Sequence, residues 1–430
     1  MEPSAETWSP TRRIVFRFVF SYLILYNFPF PLDAIPWLGP ILTQPYTDLW
    51  NALVPWVGKR LFHLAITIRP GGSGDTTYNY VQLLCYLVIA AVAAAVWTLL
   101  GAVVQKRLGK RADYGRLSAG LRTYVRFALG LTMISYGASK VIPAQFPQPG
   151  LDQLIQPFGE ASPMGLLWTF MGSSASYVVF SGLAEVAGGL LLMARRTALL
   201  GALVCIAVLV NVVMLNFSYD VPVKLYSSHL LAMALFLVLP DLRRLANVLL
   251  LNRPAEPAAP RPELTAGWLR RAAPFLVAAL AVAYTGYALY GSYDGSKQYG
   301  NLAPRPPLYG VWNVDELEVD GVARPPLLTD ASRWRRMVIS YPGVLGVQRM
   351  DSTSAYYRLY LGKRRLALAK FDDPQWKPSF SYREIAPGLL ALEGTLEGKR
   401  TRIKLRRTPD TAFTLNSRGF HWINEFPFNH

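Results

Sequence analysis

Residues 177–196 have the sequence YVVFSGLAEVAGGLLLMARR, an apolar stretch with one carboxylate, Glu185, near its middle and a basic end. A helix of this length and apolarity would cross most of a bilayer. An ionised Glu185 would be costly there unless a cation, a proton or a polar cavity lay beside it. The stretch therefore predicts a membrane helix within a bundle that has a polar interior.

The composition indicates an integral membrane protein with a soluble appendage. Of the 430 residues, 52% are hydrophobic and 17% are charged, which is too apolar for a soluble protein of this size. The net charge of +17 does not predict a nucleic-acid partner, because Lys and Arg cluster at the ends of apolar runs, as the positive-inside rule expects. The cysteines and histidines lack the spacing of metal ligands, so no metal site is predicted. The glycine-rich residues 71–74 lack the G-K-[ST] of a nucleotide-binding loop, so no nucleotide site is predicted.

The pattern of apolar runs and basic turns predicts an α-helical integral membrane bundle of about seven spans, followed by a C-terminal all-β barrel or sandwich. The N-terminus is predicted to be cytoplasmic and the C-terminal domain extracytoplasmic, in a multi-pass protein of a bacterial-type inner (plasma) membrane. The predicted regions are an N-terminal two-span region with an interfacial loop helix (1–116), a four-helix membrane unit (117–251), a cytoplasmic linker (252–271), a seventh span (272–292) and the β domain (293–430).

Short alternating runs separated by turn residues characterise the C-terminal domain. They occur at residues 336–340, 356–361, 389–396 and 402–406. A period of two with recurrent turns predicts a meander of antiparallel strands. The opening of this domain, residues 309–318, contains Gly310 and Trp312 and resembles the G-x-W first strand of lipocalin-like barrels.

Two predicted roles within the bundle are structural. Arg126 and Glu185 lie on spans that both reach the cytoplasmic side, so a buried ion pair is expected, with a proton-handling carboxylate at Glu185 as the alternative. Asp75, or Thr76 next to it, is predicted to cap the second span.

A polar cluster in the outer third of the bundle is the candidate functional site. Lysine, histidine, amide and phenol groups there could bind a quinone carbonyl, an anion or a lipid head group. Lysines that extend towards the head groups and an ordinary hydrogen-bonded histidine are the alternative interpretation. The catalytic candidates are Lys224, His229, Lys140, Asp220 and Glu185, and the candidates for cofactor binding are Tyr226, Asn216, Asn211 and Tyr136.

The region from Arg126 to about Leu250 resembles the DoxX/DoxD family of four-helix membrane proteins. The residues that carry this resemblance are Arg126, Gly130, Gly137 and Lys140, then Gly182, Glu185, Gly188 and Gly189, and the basic turn at residues 195–198. The resemblance implies a quinone-linked redox role, since DoxD is a subunit of thiosulfate:quinone oxidoreductase and DoxX proteins are associated with membrane oxidoreductase complexes. The chain differs from small members of that family by two preceding spans and by a further span that leads to the β domain.

Two functional hypotheses follow. The first is a quinone-linked or lipid-linked redox enzyme, or the membrane subunit of an oxidoreductase complex, with membrane lipid, quinone and an oxidoreductase subunit as partners. The second is a non-catalytic lipid-binding or envelope-assembly protein that uses its C-terminal barrel. The sequence does not decide whether the chain is an enzyme.

Overall fold

A computed structural model describes residues 8–68, 71–108, 114–257, 267–373 and 375–429. These residues form two compact units, bounded by Met1–Ile142 with Val178–Tyr293 and by Pro143–Tyr177 with Asp294–His430. The first unit is helical and the second contains a β-barrel, so the predicted combination of a helical membrane bundle and a β-barrel is confirmed. Residues 258–266, the middle of the predicted linker, lie outside the described residues.

The helices include long apolar segments separated by short turns. In chain order they are α1 (Pro10–Asn27), α2 (Gly39–Phe62), α3 (Thr77–Leu108), α4 (Tyr114–Val141), α5 (Leu151–Ile155), α6 (Pro163–Gly172), α7 (Ala175–Met193), α8 (Ala198–Ser218), α9 (Lys224–Val238), α10 (Leu242–Leu249), α11 (Gly267–Tyr299) and α12 (Thr414–Ser417). Among the described residues, six helical segments are long and apolar enough to cross a membrane. The chain is therefore a multi-pass membrane protein.

Helix α4 corresponds to the third predicted span and differs from those six segments. Its 28 residues would extend about 42 Å at the helical rise per residue. It is less apolar than the others because it carries Arg122, Arg126 and Lys140. Many of its residues are buried, among them Val125 and Leu129, so α4 belongs to the core of the helical unit.

The second unit contains an antiparallel barrel. Its strands are β1 (Gly310–Val319), β2 (Val322–Ala323), β3 (Trp334–Ile339), β4 (Val344–Arg349), β5 (Ser354–Leu361), β6 (Arg365–Ala369), β7 (Ser379–Ala386), β8 (Leu389–Leu396) and β9 (Lys399–Arg407). Neighbours in sequence pair from β3 to β9, β1 pairs with both β3 and β9, and the short β2 pairs only with β1. Eight strands thus close into a barrel, and the predicted meander is confirmed.

Side chains fill the interior of the barrel. Seventeen buried residues, supplied by all eight strands, form one core that includes Trp312, Trp334 and Phe380. An eight-stranded barrel has an interior just wide enough for such a core. The two-residue alternation seen in the sequence is the alternation between this core and the outer surface.

Residues 143–177, which lie inside the predicted unit 117–251, pack in the unit that contains the barrel. Leu151 of α5 is buried with Val311 and Val338, both of which point outward from the barrel. The Ser340 hydroxyl donates a hydrogen bond of 3.1 Å to Asp152 Oδ2. Burial raises the pKa of the Asp152 carboxyl above its ordinary value, although the bond from Ser340 partly offsets this rise.

We expect the wild type to lose stability as the pH rises and Asp152 ionises. We expect Asp152→Asn to avoid this loss. An acid whose pKa is raised by folding stabilises the folded state below its unfolded pKa, about 4, and this contribution disappears as pH rises through the folded pKa. Asparagine stays neutral and can still accept the Ser340 bond. The melting temperature of Asp152→Asn minus that of the wild type should therefore increase from pH 4 towards pH 7.

Asp351→Asn is the matched control, and its effect on stability should depend on pH in the opposite direction. Hydrogen bonds from Thr353 lower the pKa of the exposed Asp351 carboxyl, so its stabilising contribution is present at neutral pH and is lost on acidification. If Asp152→Asn showed the same pH dependence as Asp351→Asn, burial would not govern the Asp152 carboxyl.

Candidate functional site in the helical unit

Two pairs of glycines bring the backbones of α4 and α7 into contact. A Cβ atom on Gly137 would lie 2.6 Å from the carbonyl oxygen of Gly182, and one on Gly189 would lie 2.7 Å from the carbonyl oxygen of Gly130. Larger residues would force the helices apart. Small residues allow this kind of close helix packing in membranes, and here they fix the register of the two helices.

This register places Lys140 against Glu185. Lys140 Nζ donates a hydrogen bond of 2.5 Å to Glu185 Oε1. The two residues are only 6% and 3% exposed, respectively. The second carboxylate oxygen, Oε2, is also buried and has no hydrogen-bond partner among the residues that the structure describes. A buried charged group normally satisfies its polar atoms, so Oε2 is the unusual atom of this pair.

The predicted ion pair between Arg126 and Glu185 is wrong. Gly137 faces Gly182 and Val186, which places Glu185 at the level of Gly137 on α4. Arg126 precedes Gly137 by eleven residues, or about 16 Å along the helix axis. Similar approximate depths along two spans do not make two residues meet, because the glycine contacts set the register of α4 and α7.

His229 is held between two tyrosines of α1. Its Nδ1 lies 2.6 Å from the Leu225 carbonyl oxygen and its Nε2 lies 2.6 Å from the Tyr22 hydroxyl. Because a carbonyl can only accept, Nδ1 carries a proton, and Nε2 of the neutral ring accepts from Tyr22. The Tyr26 ring stacks on the imidazole, with centroids 4.1 Å apart and an interplanar angle of 10°.

Tyr136 of α4 and Tyr226 of α9 are neighbours. Their ring centroids are 6.1 Å apart, and the hydroxyl of Tyr226 is hydrogen-bonded to Thr132. Tyr136 also interacts electrostatically with the Glu185 carboxylate. Tyr136 is 41% exposed, so one side of this site is accessible from outside the helical unit.

Lys224 belongs to a separate ion pair. Its Nζ lies 2.7 Å from Asp220 Oδ1 and 3.9 Å from Asp75 Oδ2. Each lysine of the predicted cluster thus has its own carboxylate, Glu185 for Lys140 and Asp220 for Lys224. The structure does not require a ligand to separate the two ammonium groups.

Asp75 caps a helix other than the one predicted. Its carboxylate accepts hydrogen bonds from the backbone N–H groups of Lys224 and Leu225, at 2.7 and 2.9 Å, and so caps α9. At the start of α3, Thr76 Oγ1 accepts from the Asn79 N–H at 3.4 Å. The assignment of Asp75 to its own helix is therefore wrong, and Thr76 takes that role.

The two candidate asparagines differ in burial. Asn216 is buried and donates a hydrogen bond of 3.0 Å from Nδ2 to Ser227 Oγ, which links α8 to α9. Asn211 is exposed on α8. The structure thus brings Asn216, but not Asn211, into the interior of the helical unit.

Sequence reasoning missed Tyr22, Tyr26 and Thr132. The first two are four residues apart on α1, so they share one helix face. This spacing was visible in the sequence, although nothing there showed that the face would meet α9.

No family model and no solved structure matches the chain. The chain is similar to the uncharacterized protein YwoB of Bacillus subtilis (strain 168), with 32% identity over 141 residues. The matched region covers 31% of this chain and 88% of YwoB.

We expect the Lys140 and Glu185 substitutions to be strongly non-additive. Lys140→Met or Glu185→Leu alone leaves a buried charge without its partner, which costs about 3–5 kcal/mol. The double variant removes both charges and should recover much of that loss. Thermal unfolding of the detergent-solubilised chain, followed by circular dichroism, measures the cycle.

Lys224→Met is the control, because it breaks a pair whose acid, Asp220, is 84% exposed at the side chain. We expect a much smaller shift for it. A double variant as unstable as the sum of the two single variants would show that Lys140 and Glu185 are not coupled.

Proposed function

The chain belongs to the family of Bacillus subtilis YwoB, and on that premise we propose that its helical unit binds the head group of a membrane quinone beside Glu185. The chain would then be the membrane subunit of an oxidoreductase complex. YwoB is itself uncharacterized, so the proposal depends on the chemistry of the site and on the resemblance of residues 126–250 to DoxX/DoxD proteins.

The observation that carries the proposal is the buried Oε2 atom of Glu185. It has no hydrogen-bond partner in the described part of the chain, while Lys140 holds Oε1 at 2.5 Å. An ionised Oε2 can accept a hydrogen bond from a hydroxyl group, and a protonated Oε2 can donate one to a carbonyl. These two states match the hydroxyl and the carbonyl of a quinol and a quinone.

The surrounding residues also fit such a head group. Lys140 supplies a fixed positive charge that keeps the carboxylate in one orientation. Tyr136 provides an aromatic face, and its partial exposure offers a route from the lipid. A bound quinone would supply the redox chemistry, because it takes up two electrons and two protons on conversion to the quinol.

The residues of this chain would handle a proton and position the head group. Glu185 Oε2 would hold the proton next to the ligand, and Lys140 would stabilise the carboxylate once the proton has left. The electrons would come from a redox-active partner subunit. The hydrogen bond of 2.6 Å between His229 and Tyr22 would hold the imidazole in place, and the Tyr26 ring stacks on that imidazole.

The barrel is a weaker candidate for the site of function. The alternative hypothesis requires it to present or receive an apolar ligand, and its interior is filled by seventeen side chains. This packing favours the helical unit.

The proposal includes the orientation that the basic turns favour. The N-terminus would be cytoplasmic and the barrel extracytoplasmic, in a bacterial plasma membrane. The reason is that Arg195 and Arg196 follow α7, and Arg243 and Arg244 follow α9, on the same side of the membrane.

The variant Glu397→Cys tests this orientation, because residue 397 lies in the exposed turn between β8 and β9. We expect an impermeant maleimide to label this cysteine in intact cells. Labelling only after permeabilisation would contradict it.

Quinone binding tests the function directly. The full chain in a neutral detergent is titrated with decylubiquinone, and quenching of tryptophan fluorescence is followed. We expect saturable binding by the wild type and an affinity at least about tenfold lower for Glu185→Gln, the loss that corresponds to one charge-assisted hydrogen bond.

Lys224→Met is again the matched control, because its ion pair with Asp220 is separate from Glu185. We expect it to bind like the wild type. Equal affinity of the wild type and Glu185→Gln, or an equal loss in both variants, would exclude Glu185 as the binding group.

A further inference from the structure

A cavity lined by charged and aromatic side chains lies at one end of the barrel, outside the apolar core. Its volume is about 410 Å³, within the range of small-molecule sites. It lies where β1 and β8 begin and where β7 and β9 end. The residues that give it its chemistry are Arg305, Tyr309, Trp312, Glu384 and Arg407.

Gly310 and Trp312 give this cavity its shape. A Cβ atom on Gly310 would lie 3.0 Å from Arg407 Nε, so the absence of a side chain lets Arg407 lie across the start of β1. The Trp312 indole N–H donates a hydrogen bond of 2.9 Å to the Leu308 carbonyl. Trp312 is also part of the apolar core, so its ring separates the cavity from the filled interior.

The two arginines of the cavity are incompletely paired. Arg407 Nε is buried and has no hydrogen-bond partner within the described ranges. Arg407 Nη2 lies 3.4 Å from Asp410 Oδ1, and Arg305 Nη1 lies 3.5 Å from Asp410 Oδ2. Tight charge-assisted bonds are about 2.7–2.9 Å long, so one carboxylate holds two guanidinium groups only loosely.

The remaining lining residues suit a ligand with both an anionic and an apolar part. The Arg305 guanidinium lies 4.7 Å above the Tyr309 ring, which orients the cation beside an aromatic surface. Glu384 Oε1 accepts a hydrogen bond of 3.3 Å from the Gly388 N–H. Residues 294–430 contain 21 Lys and Arg but 14 Asp and Glu, a net charge of +7 that favours the approach of an anion.

We propose that this cavity binds a phosphate ester. The phosphate group displaces Asp410 from Arg305 and Arg407, since guanidinium groups bind phosphate in a bidentate manner. The apolar part of the ester packs against Tyr309 and Trp312. A soluble phosphate ester and the head group of an anionic phospholipid share this chemistry.

Calorimetric titration of the full chain with phenyl phosphate, in a neutral detergent, tests the site. We expect saturable binding that weakens at least about tenfold in Arg305→Gln and in Arg407→Gln, because each loses a charge-assisted bond. Arg406→Gln is the matched control, because Arg406 is the neighbouring residue on β9 but bonds Asp315 on the outer surface. It should bind like the wild type.

Two variants are expected to bind more tightly, which a folding defect could not imitate. Glu384→Gln keeps an acceptor for the Gly388 N–H but removes a negative charge from the cavity. Asp410→Asn removes the carboxylate that competes for both arginines. Phenol is the neutral comparison ligand and should bind much more weakly than phenyl phosphate.

Nanodiscs distinguish the two sources of the phosphate. Phenyl phosphate that binds in phosphatidylcholine nanodiscs but not in phosphatidylglycerol nanodiscs identifies a lipid head group as the occupant. Binding in both identifies a soluble ester. The proposal is overturned if phenyl phosphate does not bind in detergent, if phenol binds equally well, or if Glu384→Gln and Asp410→Asn fail to tighten binding.

Discussion

The contact between the backbones of α4 and α7 is the constraint on which the helical unit depends. Gly137 against Gly182 and Gly130 against Gly189 leave no room for side chains, so the two helices can meet only in one register. That register places the ammonium of Lys140 against Glu185 Oε1 and leaves Oε2 buried, with no hydrogen-bond partner among the described residues. The chemistry of the site thus follows from the absence of four side chains.

The two units limit the cost of unpaired polar groups in different ways. In the helical unit, close packing of small residues and a paired buried charge limit the cost of polar groups among apolar segments. In the barrel, the pairing of β1 with β9 removes the free sheet edges, and core side chains fill the interior. The two proposals concern the buried Lys140–Glu185 pair in the first unit and the Arg305 and Arg407 end of the barrel in the second.

The sequence predicted the features that depend on local pattern. Apolar runs predicted the membrane helices, and two-residue alternation predicted strands such as β5 and β8. Features that depend on contacts distant in sequence were not predictable. Arg126 was assigned to Glu185 because depth along a span does not reveal register. Asp75 was assigned to its own helix because no local signal shows that its carboxylate caps α9, about 150 residues later.

The protonation of Glu185 is the most direct measure of the proposed role of the helical unit. Infrared difference spectra of the full chain with and without decylubiquinone report changes in individual carboxyl groups. We expect a ligand-induced carboxyl band that is present in the wild type and in Lys224→Met but absent in Glu185→Gln. Identical difference spectra for the wild type and Glu185→Gln would contradict the role of Glu185 as the group that meets the ligand.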